Sequence, residues 1–195
     1  MSLVETKNDL LRDLGIDSGY TSTALEKLVN ADSKYLKDLR INLNNVLSSI
    51  NMTKKESLLI ALAIAVNERN EILKSAFTAL AAANDAANTE IAEAVACASL
   101  LATNNVFYRF KHFIGGSTDE YQNMPAGIKM NIMINPILGK ELFELISLAV
   151  SAVNACEQCV NSHEASVKTA GASAAKIFDA IRLAAVIRGL SIIIN

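Results

Sequence analysis

The sequence predicts an all-α protein, and three properties of its 195 residues lead to that prediction. Residues that break helices are scarce, because the chain contains only 2 prolines and 8 glycines. Long runs of Ala, Leu and Ile supply residues of high helix propensity. Hydrophobic residues make up 51% of the chain, with a mean hydropathy of +0.28. This is enough for one well-buried domain, so we expect residues 1–195 to form a single all-helical domain.

The first 50 residues or so have the pattern of a charged helical leader. Asp17 or Ser18 could cap one helix there, and a second helix could open at Lys34 after a polar stretch. No export signal is expected, because acidic residues occupy the positions where a secretory signal has an apolar core. The longest apolar run, Leu58–Val66, is far shorter than the roughly 18 to 20 residues that cross a bilayer. We therefore expect a cytoplasmic protein that does not contact a membrane.

Two helical blocks follow the leader. A capping box that begins at Thr53 opens the first block, about residues 53–114, and the second block covers about residues 138–195. The connector between them holds both prolines and should contain one or two short helical turns. Within the blocks the periodicity predicts four helices, at about residues 53–83, 89–109, 140–171 and 174–193.

The two blocks resemble each other in sequence. The segment LAIAVN, which begins at Leu62, aligns with AVSAVN, which begins at Ala149, and the segments from Ile91 and Ile177 align in the same way. This similarity predicts an internal duplication of a helical unit. Only the second copy would then carry chemistry, because the first copy lacks the cysteine motif.

The net charge and the cysteine count narrow the possible functions. A formal charge of −2 does not provide the excess of basic residues that is typical of nucleic-acid-binding proteins. Three cysteines are an odd number and do not make the disulfide framework of a secreted protein. In a reducing compartment a close pair of cysteines is more often catalytic or metal-binding than structural.

The stretch ACEQCVNSH, residues 155–163, contains such a pair. In a helix, Cys156, Cys159 and His163 would share one face at positions i, i+3 and i+7. A Cys-x-x-Cys pair in a first helical turn can close into a disulfide, and a helix N-terminus stabilises a thiolate. His163 is one turn beyond Cys159, where it could accept the thiol proton directly or through one water.

Two other interpretations of these residues stay open. Small cysteines are common in Ala-rich cores, and we interpret Cys97 as one of them. Alternatively, Cys156, Cys159 and His163 could be three ligands of a structural zinc, which takes four. Neither His112 nor Cys97 stands at a zinc-type spacing from them, so no metal is expected.

The stretch FELISLAVSAVNACEQCVNSHEASVKTAG, residues 143–171, resembles the active-site region of the AhpD-type alkylhydroperoxidases, in the wider carboxymuconolactone decarboxylase-like superfamily. The family signature is a glutamate twelve residues before a Cys-x-x-Cys and a histidine four residues after its second cysteine. The residues at this spacing are Glu144, Cys156, Cys159 and His163. Two upstream stretches, NNVFYRFKHFIGG and IKMNIMINPILGK, also resemble the family, so the resemblance is clear from about residue 104 to residue 193.

The resemblance implies an all-α protein, usually trimeric, that reduces organic hydroperoxides to alcohols. Cys159 would be the peroxidatic nucleophile, Cys156 the resolving thiol, and Glu144 with His163 the proton relay. No cofactor would be bound, because the redox-active disulfide Cys156–Cys159 is itself the redox group. The expected reductant is the dithiol dihydrolipoamide on a 2-oxoacid dehydrogenase complex, and the expected partner is a peroxiredoxin.

Gln158 is a departure from the family pattern. Peroxidase members carry a histidine just before the second cysteine, where it assists the first, and glutamine cannot accept a proton near neutral pH. The residues expected to take the proton of Cys159 are present, but the histidine expected to assist Cys156 is missing. This leaves open a dithiol electron carrier that reduces a peroxiredoxin with little peroxidase activity. A decarboxylase-type lyase and a zinc-stabilised interaction module are the remaining alternatives.

Overall fold

The computed structural model describes residues 2–115, 120–121 and 123–195, and within these ranges the protein is all-α, as predicted. The described residues form nine α-helices and one short 3-10 helix at Asn131–Met133, without a strand. The α-helices, in chain order, are Leu3–Asp13 (α1), Thr23–Asn30 (α2), Tyr35–Leu47 (α3), Lys54–Asn67 (α4), Glu71–Ala82 (α5), Asn88–Ile114 (α6), Lys140–Val153 (α7), Glu157–Thr169 (α8) and Ala174–Ile193 (α9).

The N-terminal leader is helical, but its first predicted cap is wrong. Ser22 caps α2 by accepting a hydrogen bond from the amide of Leu25, whereas Asp17 accepts from Gly19 in a local turn. The hydroxyl of Ser22 also donates to the carbonyl of Ile193, which ties the start of α2 to the C-terminal end of α9. The third helix begins beside Lys34, as predicted.

Helix α4 is the centre of the core. All residues from Ser57 to Ala65 are buried, because α4 packs against α5, α6, α7 and α9. A helix that is apolar all round has to be buried on every side, and this position provides that burial. The capping box predicted at Thr53 is present, since Thr53 and Glu56 exchange side-chain hydrogen bonds with each other's amides. No helix in the described ranges combines the length and the apolar character that crossing a membrane requires.

Two of the four predicted block helices are wrong, because each is in fact a pair of helices. A turn separates α4 from α5, and another separates α7 from α8. The backbone of Arg69 (φ 57°) and of Ala155 (φ 54°) is left-handed in these turns. Such a conformation is uncommon for residues other than glycine, and no glycine or proline marks either break in the sequence.

The connector and the long α6 differ slightly from their predicted bounds. Helix α6 continues to Ile114, beyond the predicted end at residue 109, and Gly115 is its C-cap. The sequence also favours a helix break at the glycine pair 115–116, and Gly116 lies outside the described residues. Glu93 on α6 accepts the amide of Leu138 at 2.6 Å, which fastens the end of the connector onto the helix.

The two helical blocks meet at a pair of asparagines. The amide of Asn67 donates to the side-chain oxygen of Asn154, and that of Asn154 donates back, each at 3.0 Å. These are the last residues of the two segments that align in the sequence. The N-caps of α4, α5 and α6 each lie 86 residues before the N-caps of α7, α8 and α9. The three pairs are Thr53 and Gly139, Asn70 and Cys156, and Ala87 and Ser173. An internal duplication stays a prediction, and this arrangement is what it would produce.

Candidate active site

The turn between α7 and α8 places the cysteine pair at a helix start. Cys156 is the N-cap of α8, and Cys159 lies in its first turn. The left-handed backbone of Ala155 produces the change in chain direction just before Cys156. The sequence predicted both cysteines inside one helix, whereas the structure puts Cys156 at its boundary. Both sulfurs are still at the N-terminal end, where the helix dipole favours negative charge.

Cys156 and Cys159 are joined by a disulfide, with their Cα atoms 5.3 Å apart. This separation lies in the usual range for bridged cysteines. The two residues differ in access to solvent, because Cys156 is fully buried and Cys159 is 6% exposed. Only Cys159 of the two lines a pocket that opens to the surface. A molecule that enters this pocket can therefore reach Cys159 and not Cys156.

His163 is held by a buried carboxylate. Its Nδ1 atom lies 2.7 Å from Oε2 of Glu144, which comes from the facing helix α7. The side chains of His163 and Glu144 are only 11% and 3% exposed. The second carboxylate oxygen, Oε1, lies 2.8 Å from Nζ of Lys140, one turn earlier on α7. Sequence reasoning missed Lys140, although its position four residues before Glu144 is the spacing of helical ion pairs.

The partners of Glu144 decide its protonation state. Burial raises the pKa of its carboxyl, but the hydrogen bonds and positive charges of His163 and Lys140 outweigh burial and leave the pKa below 4.5. An ionised carboxylate only accepts hydrogen bonds, so the Nδ1–H of His163 is the donor. In a neutral imidazole the other nitrogen, Nε2, is then the proton acceptor. Cys159 lies four residues before His163, one turn earlier on α8.

A pocket of about 320 Å³ leads to Cys159 and His163. Such a volume suits a small organic molecule. The wall opposite α8 consists of residues outside the predicted catalytic set, namely Asn104 and Tyr108 of α6 and Met130 and Met133 of the connector. All four lie in the two upstream stretches that resemble the family. That resemblance was the available signal, although it did not identify which side chains point inward.

Two polar side chains in this pocket stand out. Asn104 is 5% exposed, and its Oδ1 atom has no hydrogen-bond partner among the described residues. Its Nδ2 atom lies 3.1 Å from the thioether sulfur of Met130, which is a weak acceptor. Gln158 is exposed at the rim of the pocket. A buried acceptor without a partner is costly, so Asn104 is a group that a bound molecule would satisfy.

The remaining cysteine and histidine lie elsewhere. Cys97 is buried with Sγ 3.4 Å from the hydroxyl of Ser147, and burial raises the pKa of its thiol to about 12, which confirms it as a core residue. His112 lies 3.5 Å from the carboxylate of Glu157 at the start of α8. The described part of the chain contains no cluster of three or more His, Cys, Asp or Glu side chains that could hold a metal ion.

Comparisons with known proteins agree with this fold and site. The model of the carboxymuconolactone decarboxylase family matches residues 119–193. Relatives named alkyl hydroperoxide reductase AhpD cover far more of the chain. The relative from Bradyrhizobium sp. (strain ORS 278) is 39% identical over 172 residues, which are 88% of this chain and 93% of that protein.

Two further AhpD relatives are similarly close. The one from Anaeromyxobacter dehalogenans (strain 2CP-C) is 38% identical over 87% of this chain and 89% of its own length. The one from Coxiella burnetii (strain Dugway 5J108-111) is 40% identical over 80% of this chain and 89% of its own length. The protein therefore belongs to the AhpD family, within the carboxymuconolactone decarboxylase superfamily.

Proposed function

We propose that this protein is a thiol peroxidase that reduces alkyl hydroperoxides to alcohols through a Cys156–Cys159 dithiol/disulfide cycle. The observation that supports the proposal best is the shared pocket of Cys159 and His163, in which the histidine is oriented by the buried carboxylate of Glu144. A thiol beside an oriented base is the arrangement that produces a thiolate nucleophile. The names of the relatives point to the same substrate class.

The first step is the attack of Cys159 on the peroxide. In the reduced protein, Nε2 of His163 takes the thiol proton, and the N-terminus of α8 stabilises the thiolate. The thiolate attacks one peroxide oxygen, so that an S–O bond forms as the O–O bond breaks. The alkoxide that leaves takes the proton from His163 and departs as the alcohol. Cys159 is then a sulfenic acid.

The second step forms the disulfide. The Cys156 thiol attacks the sulfur of the Cys159 sulfenic acid, an S–S bond forms, and water leaves. The burial of Cys156 limits the access of peroxide to this thiol, which keeps it available as the resolving group. One hydroperoxide and two thiols are thus converted into one alcohol, one water and one disulfide.

A dithiol reductant closes the cycle. Its thiolate has to attack Cys159, because only this sulfur is reached through the pocket, and Cys156 then leaves. We propose dihydrolipoamide, carried by a 2-oxoacid dehydrogenase component, as the reductant, since its slender dithiol head suits a pocket of about 320 Å³. A cytoplasmic location would supply this donor and keep the thiols reduced.

The residues that line the pocket suit the alkyl group of an organic hydroperoxide. Tyr108, Met130 and Met133 offer apolar contacts to an alkyl group, and methionine adapts to chains of different shape. The unpartnered Oδ1 of Asn104 is the acceptor for the O–H of the hydroperoxide. Binding of that group would both orient the O–O bond and satisfy the buried amide oxygen.

We also propose that the chain forms a homo-oligomer, a trimer or a multiple of one, as the family resemblance implies. The C-terminal half of α6 and the connector expose large apolar side chains, namely Val106, Phe110, Phe113, Ile134 and Ile137. Burial of such a patch between subunits would stabilise the assembly.

Gln158 favours a second candidate function. A glutamine at the pocket rim cannot take the proton of Cys156, and the proton acceptor expected there is missing. The protein could then serve mainly as a dithiol carrier that exchanges with lipoamide and passes electrons to a peroxiredoxin. A lyase of the decarboxylase branch is the third candidate, and it predicts activity that survives replacement of both cysteines.

A coupled turnover assay tests the proposal. Dihydrolipoamide, regenerated by lipoamide dehydrogenase and NADH, would drive the reduction of tert-butyl hydroperoxide by the wild type and by variants. Cys159→Ser should abolish NADH consumption, whereas Cys97→Ala, the matched control, should retain it because Cys97 is a core residue. Wild-type protein that exchanges with lipoamide but leaves the hydroperoxide intact would support the carrier instead.

A further inference from the structure

Helix α6 has a second cavity on its other side. Asn104 and Tyr108 line the pocket of Cys159, and the residues that follow each of them, Asn105 and Arg109, line a cavity of about 680 Å³. The turn before α5, the turn before α8, and Arg188 on α9 complete this cavity. Its volume lies in the range of small-molecule sites, and the proposed peroxidase chemistry makes no use of it.

Three arginines give the cavity its charge. Arg69, Arg109 and Arg188 all line it, and none of the described residues in its lining is acidic. Glu68, which stands outside the lining, pairs with Arg188 at 3.2 Å and offsets one of the three charges. Arg69 is exposed, and its guanidinium makes no hydrogen bond or ion pair with any described residue. The cavity therefore carries about two uncompensated positive charges.

The polar part of the cavity wall is a network of side-chain hydrogen bonds. Asn154 is bonded both to Asn67 and to Asn105, and Asn105 in turn donates to the hydroxyl of Ser151 at 3.0 Å. These side chains fix one another by hydrogen bonds and are preformed without a ligand. Because a preformed site loses little conformational entropy when it binds, this wall favours affinity.

Two of the arginines also hold the turn in front of Cys156. Arg109 donates to the carbonyl of Asn154 at 2.8 Å, and Arg188 donates to the carbonyl of Val153 at 2.9 Å. Each guanidinium has five N–H donors in a planar fork. Arg109 uses one of them on this carbonyl, and Arg188 uses two, on Val153 and on Glu68, so most remain available. Their planar forks match the oxygens of a carboxylate or a phosphate, which they bind in pairs of hydrogen bonds.

We propose that this cavity binds a small organic anion that bears carboxylate or phosphate groups, held by Arg69, Arg109 and Arg188. Arg69 supplies a charge that no group among the described residues neutralises. Arg109 and Arg188 supply donors that are already positioned by the turn. The site is separate from the pocket of Cys159, so its occupation does not depend on the proposed peroxidase activity.

Isothermal titration calorimetry of the full chain, with citrate and pyrophosphate as probes in a chloride-matched Tris buffer, tests the site. Saturable binding of at least one probe, with a Kd below about 1 mM, is expected. The tighter of the two probes then identifies the carboxylate or the phosphate as the preferred group. An absence of saturable heat for both probes up to about 10 mM would overturn the proposal.

Two variants distinguish a specific binding site from a general electrostatic attraction of anions to the protein surface. Arg69→Asn removes the unpartnered charge, and asparagine tolerates the left-handed backbone at this position. It should weaken binding by about tenfold, as expected for the loss of a charged hydrogen-bonding partner. Arg182→Gln removes the same charge from an exposed position on α9 outside the cavity and should leave the Kd unchanged. Equal weakening by both variants would overturn the proposal.

Discussion

Glu144 stands between His163 and Lys140, with one carboxylate oxygen 2.7 Å from the imidazole Nδ1 and the other 2.8 Å from the ammonium. These contacts leave the pKa of Glu144 below its ordinary value of 4.5 in spite of burial. The carboxylate therefore stays ionised at neutral pH. In the proposed relay it fixes the tautomer of His163 and stabilises the imidazolium that forms when Cys159 loses its proton.

Glu144→Gln should lower the rate of hydroperoxide reduction by about 100-fold. A neutral amide can donate to Nδ1 and stabilise the wrong tautomer, and it does not stabilise an imidazolium. The measurement is kcat/KM for tert-butyl hydroperoxide in the coupled assay. Glu164→Gln is the matched control, because Glu164 adjoins His163 in sequence but pairs with Lys168 on the outside of α8. Equal rates for the two variants would contradict the role of Glu144.

The lowered pKa of Glu144 also predicts a pH dependence of stability. A carboxyl whose pKa is lower in the folded state stabilises the fold above the unfolded pKa, and this stabilisation disappears as the pH falls through the folded value. The free energy of unfolding in urea should thus decline below about pH 4.5. Glu144→Gln should decline less steeply over the same range. Parallel pH profiles would show that Glu144 does not contribute.

Asn104→Leu should impair the use of peroxide and leave the exchange with lipoamide intact. Leucine has a similar size but cannot accept the hydroperoxide O–H, so kcat/KM should fall by roughly threefold to tenfold. Stopped-flow oxidation of the reduced protein by peroxide measures the effect. The exposed neighbour Thr103 provides the control variant Thr103→Val. An unchanged peroxide rate in Asn104→Leu would remove Asn104 from the binding site.

Gln158→His should raise turnover, because a histidine at this position could accept the proton of Cys156 during resolution. Gln158→Asn is the control, since it keeps an amide without adding a base. The comparison uses dihydrolipoamide-driven peroxide reduction near pH 7. If histidine gives no increase over the wild type, the missing base is not what limits the reaction, and the case for an electron carrier based on Gln158 weakens.

Much of the fold follows from local sequence signals. The scarcity of helix breakers predicted the all-α class, and the capping box at Thr53 predicted the start of α4. The breaks at Arg69 and Ala155 could not be predicted in the same way. Neither arginine nor alanine is a residue type that favours a left-handed backbone. Asn70, the N-cap of α5, was the one local signal at the first break.

The candidate site likewise contains residues that the sequence predicted and residues that it did not. Cys156, Cys159 and His163 are neighbours in sequence, so their spacing alone indicated a common site, and the family signature added Glu144. The pocket wall is formed by residues such as Asn104 and Met130, which reach Cys159 only through the packing of α6 and the connector onto α8. Contacts of that kind between distant segments have no periodic signal in a sequence.

The measurement that tests the central claim most directly is intact-mass spectrometry of the reduced protein after one equivalent of tert-butyl hydroperoxide, sampled over seconds. We predict a rapid loss of two hydrogen atoms that maps to a Cys156–Cys159 bridge. We also expect a sulfenic acid on Cys159, captured by dimedone, in Cys156→Ser. Thiols that survive the peroxide, or a sulfenic acid that forms on Cys156 in Cys159→Ser at the wild-type rate, would contradict it.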